Sequence, residues 1–130
     1  MNKSTIRRIF CAIVLLSVTA LAQADPRIEV VWSCTLNEGK TLEDLHEVNG
    51  NWLEWNEDKG LKGITSHVAN RILGGDLSDV LLIDSYPNWE TYAALVAEYD
   101  SPDGEAMDAA YNEVATCNSN TVWAVEASGD

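Results

Sequence analysis

Few side chains in this sequence have obvious chemistry to offer: His46 and His67, three cysteines, and the five tryptophans Trp32, Trp52, Trp55, Trp89 and Trp123. A histidine titrates near neutral pH and can serve as a base or a ligand. Neither histidine has a partner at zinc-site spacing, and there is no cysteine–histidine cluster, so no metal is expected. Glu43, Asp44 and Glu47 lie close together but lack the ligand loop of a tight calcium site, and they suit the positive end of a helix instead. No serine elbow, glycine-rich phosphate loop or nucleophilic cysteine constellation appears, and no cofactor is expected. The tryptophans admit two readings. They build the core in place of phenylalanine, which is absent beyond residue 24. Alternatively Trp32, Trp52 and Trp55 line an aromatic cleft between the first helix and a sheet, with His46 at its rim and His67 as a further candidate.

Where such a site would operate follows from the N-terminus. Residues 1–24 show a basic start (Lys3, Arg7, Arg8), an apolar run from Ile9 to Val18, and Ala22-Gln23-Ala24, the small-x-small pattern of a cleavage site. The run is short for a bilayer span and Asp25-Pro26 follows it without a basic flank, so cleavage after Ala24 and export to a periplasmic or secreted location are expected. Cys11 would leave with this segment. Residues 25–130 then form one domain, with five basic residues against 21 acidic ones and a net charge of −16. Such a field repels nucleic acid and anionic lipid, so neither is expected as a partner.

The elements that must position the candidates come from periodicity. Arg27–Leu36 alternates, with Ile28, Val30, Trp32, Cys34 and Leu36 on one face, and reads as a strand. Thr41 and Asp44 form a capping-box pattern opening a helix whose stripe is Leu45, Val48, Trp52 and Trp55, ending near Asp58-Lys59-Gly60. Residues 64–73 and 80–86 read as a hairpin. Asn88 caps a second helix carrying Tyr92, Leu95, Val96 and Tyr99, which Ser101-Pro102-Asp103-Gly104 breaks. A further piece from Glu105 to about Thr116 presents Met107, Ala110, Tyr111 and Val114, and Thr121–Ala127 makes the last strand. The order βαββαβ gives an α+β, ferredoxin-like sandwich: a four-stranded antiparallel sheet with its helices on one face. Val31, Leu81 or Leu82, and Trp123 or Val125 leave an apolar helix-free face, which favours pairing of two copies.

This element order, the tryptophans of the first helix (Trp52, Trp55), the passage LLIDSYPNWETYAAL and the interrupted second helix together resemble the dimeric α/β-barrel superfamily, in which two such sheets face each other. The superfamily includes cofactor-free monooxygenases, haem-handling enzymes and small proteins without known activity. In the monooxygenases a flat substrate lies between helices and sheet. Two functions are therefore carried. The favoured one is a non-catalytic exported binding or accessory protein built on a homodimeric scaffold. The other is a cofactor-independent monooxygenase acting on an aromatic or quinol-like small molecule in the tryptophan-lined cleft.

Cys34 and Cys117 are the only cysteines after residue 24, and an exported domain meets oxidising conditions. In this topology the last strand lies antiparallel beside the first, which brings the two together, so a disulfide is expected between them.

Overall fold

The computed structural model describes residues 26–128, and the expected signal segment with Cys11 lies outside them. Seven elements follow in order: β1 (Arg27–Leu36), α1 (Leu42–Asp58), β2 (Thr65–Asn70), β3 (Asp79–Tyr86), α2 (Trp89–Glu98), α3 (Pro102–Val114) and β4 (Ala115–Val125). The strands form one sheet in the order β2-β3-β1-β4, antiparallel at every pairing. This is the α+β, ferredoxin-like arrangement.

Side-chain chemistry at the helix ends explains where the helices start. Thr41 and Asp44 close the expected capping box: the Thr41 backbone N–H donates to Asp44 Oδ2 at 2.7 Å and Asp44 N–H donates to Thr41 Oγ1 at 3.2 Å. Asn88 caps α2 through its side chain, which accepts from Thr91 N–H at 2.9 Å. The Ser101–Gly104 stretch proves to be a helix start rather than only a break. Ser101 caps α3, accepting from Gly104 N–H at 3.2 Å, and Pro102 takes the first turn, where no N–H is needed. Gly104 is buried at this corner, and a Cβ there would sit 2.4 Å from the Glu98 carbonyl oxygen. The missing side chain lets α3 turn tightly against the end of α2. Lys59, just past α1, ties the same corner by reaching Asp103 at 3.0 Å and Glu98 at 3.4 Å.

The last strand begins six residues before the expected Thr121. Its first half, ATCNSN, is exposed apart from Ala115, so no apolar alternation marks it. Backbone pairing to β1 carries it instead, from Leu36↔Ala115 to Arg27↔Val125. A register shift between Ser33 and Cys34 leaves Asn118 as the extra residue of a bulge and sets Cys34 opposite Cys117. The two are joined by a disulfide across 83 residues of sequence, as expected.

Strand parity separates the faces. Ile28, Val30, Cys34, Val80, Leu82 and Tyr86 are buried under the helices, with Leu45, Val48 and Trp52 of α1, Leu95 of α2 and Val114 of α3. They form two clusters, and Trp32 and Tyr111 pack against both. On the helix-free face the sequence alternatives resolve: Leu81 points outward and Leu82 inward. Trp123 and Leu81 are exposed there, near the half-buried Val31 and Ile83.

The disulfide closes most of the domain into a loop, for which chain entropy gives on the order of 4.5 kcal/mol of stabilisation. Replacing both cysteines by serine should lower the melting temperature by at least ~10 °C, since about 1 kcal/mol shifts a domain of this size by ~4–8 °C. Thermal unfolding followed by circular dichroism checks this. An unchanged melting temperature would mean that the bridge contributes nothing to stability.

Candidate active site

A cleft of about 290 Å³ opens between the helices and the sheet, lined by Trp32, Trp52, Asp84, Tyr99, Asp108 and Tyr111 among others. β1 supplies Trp32 and β3 supplies Asp84. Because β1 and β3 are neighbours, with Trp32 opposite Leu82, the indole reaches along the sheet to the carboxylate two residues on. α1 supplies Trp52, and the α2–α3 corner brings in Tyr99 and Tyr111. Two other hollows, of about 370 and 530 Å³, lie on the helix-free face around Arg71 and Trp123. They are larger, but neither holds a buried ionisable group; the smaller cleft does.

That group is Asp84, 7% exposed on the core side of β3. Trp32 Nε1 donates to its Oδ2 at 3.1 Å, and the Ser66 hydroxyl lies 2.6 Å from its Oδ1. Burial pushes the carboxyl up to about 6, against the opposing pull of the Ser66 and Trp32 donors. A carboxylate in that range gains and loses its proton near neutral pH, which is what a general base requires. Ser66 also lies 3.1 Å from Asn49 Oδ1, to which the Tyr111 hydroxyl donates at 2.5 Å. On the other side of the cleft Trp52 Nε1 donates to the Tyr99 oxygen at 2.6 Å. Tyr99 is pushed up to about 12 by burial, with Trp52 opposing the shift, so its hydroxyl keeps its proton and can donate to a ligand. Burial likewise raises Tyr111 and Tyr86 far above the ordinary phenol range, with the Asp84 charge adding to both.

Of the residues singled out in the sequence, Trp32 and Trp52 line this cleft. Trp55 stands behind it: its ring packs at 5.7 Å from Tyr99, and its buried Nε1 has no hydrogen-bond partner among the described residues. The placement of His46 at the rim does not hold, because it is exposed on α1 away from the buried stripe and does not line the cleft. His67 is exposed on β2 at an odd position, which turns it to the helix-free face, while Ser66 beside it turns inward. Helical periodicity sets His46 outside the Leu45-Val48-Trp52 stripe, and strand parity turns His67 outward. Among the described residues no group of three His, Cys, Asp or Glu side chains could hold a metal ion.

Asp84, Ser66, Asn49, Tyr99 and Tyr111 were not assigned to a site from sequence. The signal for Asp84 was nonetheless present: it is an acid within VLLIDSY, sharing parity with Val80, Leu82 and Tyr86. An acidic residue on the apolar face of a central strand is a buried charge, and buried charges gather polar partners.

No family model matches the chain, and no curated protein matches it in sequence. Solved structures do resemble it. SnoaB, a cofactor-independent oxygenase from Streptomyces nogalater, superposes with a TM-score of 0.56 at 9% identity, over 79% of this chain and 96% of the other. A protein from Arabidopsis thaliana gives 0.52 at 13% identity, over 81% and 98%. A proposed antibiotic biosynthesis monooxygenase from Chloroflexus aurantiacus J-10-fl gives 0.51 at 8%, over 80% and 97%. At such identities the likeness is one of fold, and it agrees with the strand order and helix placement described above: the chain has a ferredoxin-like fold.

Proposed function

We propose that the chain is an enzyme of the cofactor-independent oxygenase type, acting on a small hydroxylated aromatic molecule bound in the cleft. The observation that carries this is Asp84, a carboxylate held out of water at the wall of an aromatic cleft. A charge placed there costs stability, and a carboxylate poised to titrate near neutral pH at a cleft wall is suited to act as a general base. The fold likeness to SnoaB agrees with this reading. The non-catalytic scaffold, favoured from sequence, calls for a filled core, whereas a cleft lies between helices and sheet; neither His46 nor His67 enters it, so the base in this proposal is Asp84 and not a histidine.

In this proposal Asp84 removes the phenolic proton of the substrate, and the Tyr99 hydroxyl donates to the resulting oxyanion. The electron-rich ring then reacts with dioxygen. One oxygen atom becomes a ring carbonyl, and the other leaves as water with the single hydrogen of the oxidised ring carbon and the phenolic proton returned by Asp84. The lining holds two acids, Asp84 and Asp108, and no lysine or arginine, so neutral substrates are favoured over carboxylated ones.

Two further properties are proposed with it. Export rests on the N-terminal pattern together with the Cys34–Cys117 bridge. Homodimer formation rests on the helix-free face, where Trp123 is 57% exposed beside Val31 and Val125.

Asp84→Asn should reduce oxygen uptake with a small hydroxylated aromatic substrate by about 100-fold or more, the usual contribution of a general base. The wild-type rate should rise through pH 6 and level off above it, as the base ionises. Stability should move the opposite way. The folded carboxyl titrates near 6 and the unfolded one near 3.8, so the native state holds the proton longer and stability falls as pH rises across that window. Asp84→Asn should therefore be more stable than wild type at pH 7, by ~1–3 kcal/mol, and about equal at pH 4. Full turnover by the asparagine variant would remove Asp84 from the chemistry. For the dimer, sedimentation at micromolar concentration should give twice the monomer mass, and Trp123→Glu should halve it. A monomeric wild type would refute the pairing.

A further inference from the structure

The contacts around Ser66 contain one proton too few. Its hydroxyl has a single hydrogen, yet it lies 2.6 Å from Asp84 Oδ1 and 3.1 Å from Asn49 Oδ1, both of which accept when the acid is ionised. The Tyr111 hydroxyl also meets Asn49 Oδ1, at 2.5 Å. With Asp84 charged, Ser66 donates to the carboxylate and only Tyr111 donates to Asn49. With Asp84 neutral, the carboxyl proton on Oδ1 is donated to Ser66 Oγ, which frees the serine hydrogen to turn to the second lone pair of Asn49 Oδ1. Every contact then has its own proton. Asn49 is 5% exposed, so water does not readily substitute for either donor.

We propose that Ser66 and Asn49 are positioning residues that govern the proton of Asp84, with the serine hydroxyl donating to Asp84 when it is charged and to Asn49 when it is neutral. Ser66 holds the base in its active, ionised form, and Asn49 holds the protonated form. This assignment rests on the hydrogen bonds and not on the nature of the substrate. The other groups facing Asp84 do not take over the role. β1 contributes Trp32, a donor in both states, and α1 contributes Trp52, which does not titrate. Tyr86 on β3, Tyr99 after α2 and Tyr111 on α3 stay protonated through neutral pH. Asp108 on α3 adds negative charge near the cleft and has no contact with Ser66 or Asn49 among the hydrogen bonds described.

Opposite shifts in two variants test the proposal. The Asp84 side-chain carboxyl is followed by carbon-13 NMR across pH 4–8 in the intact protein. Ser66→Ala removes the donor to the charged form and should raise the midpoint by about half a unit or more. Asn49→Leu removes the acceptor that serves the neutral form, leaves Ser66 committed to the carboxylate, and should lower it by a similar amount. Simple loosening of the core would admit water and lower both. A lowered or unchanged midpoint in Ser66→Ala overturns the proposal by itself, even if Asn49→Leu fails to fold. A raised or unchanged midpoint in a folded Asn49→Leu also overturns it, because Asn49 then presents its amide nitrogen to Ser66 and does not stabilise the neutral acid.

Discussion

A carboxyl group on the core side of a central strand constrains everything near it. Asp84 has β1 and β2 on either side and the helices above, so its partners must come from all three directions. Trp32 comes from β1, Ser66 from β2, and Asn49 from α1 through Ser66. Each contact fixes a relation between elements: the β1–β3 register, the β2–β3 register, and the depth at which α1 sits on the sheet. A one-residue slip in either strand pairing would turn Trp32 or Ser66 to the other face and leave the carboxyl without its donors. The polar network therefore specifies the register more sharply than the surrounding Ile, Val and Leu side chains do, because apolar neighbours tolerate substitution for one another.

The aromatic residues serve two purposes. Trp52, Tyr99 and Trp55 fill the space under α1 and the α2–α3 corner, while the polar tips of Trp52 and Tyr99 bond to each other. An aromatic side chain suits this place because its body packs and its edge still carries a donor or acceptor. Gly104 makes the corner possible. Without that close approach α3 would stand away from α2, and Tyr111 would lose its reach to Asn49.

Much of the fold is legible in the sequence because its signals are local. β1 is read to the residue, since an apolar side chain stands at every even position from Ile28 to Leu36, and α1 starts where Thr41 and Asp44 say it should. The two ends of β4 and the start of α3 are less legible. ATCNSN is held by its neighbour's backbone rather than by its own apolar pattern, and Pro102 serves equally to end one helix and to begin another. Cys34 and Cys117 are readable as a pair because only one pairing exists. The cleft is harder, because its residues converge only through parity and register. Histidines draw the eye, but His46 and His67 lie on the wrong faces, whereas Asp84, Asn49 and Ser66 look like ordinary polar residues until the sheet is assembled.

β4 has another consequence. It is an edge strand, and none of its eleven residues from Ala115 to Val125 carries a charge, although the chain from residue 25 onward has a net charge of −16. Such an edge offers free backbone donors and acceptors with no lysine, glutamate or proline to discourage a foreign strand. The negative charge of the rest of the surface opposes the approach of another copy to this edge, over about 10 Å at moderate ionic strength and less as salt is added. Colloidal behaviour and strand chemistry are thus linked in this protein. Concentrated salt, or acid that neutralises the carboxylates, withdraws the repulsion and leaves an unguarded edge free to recruit further strands.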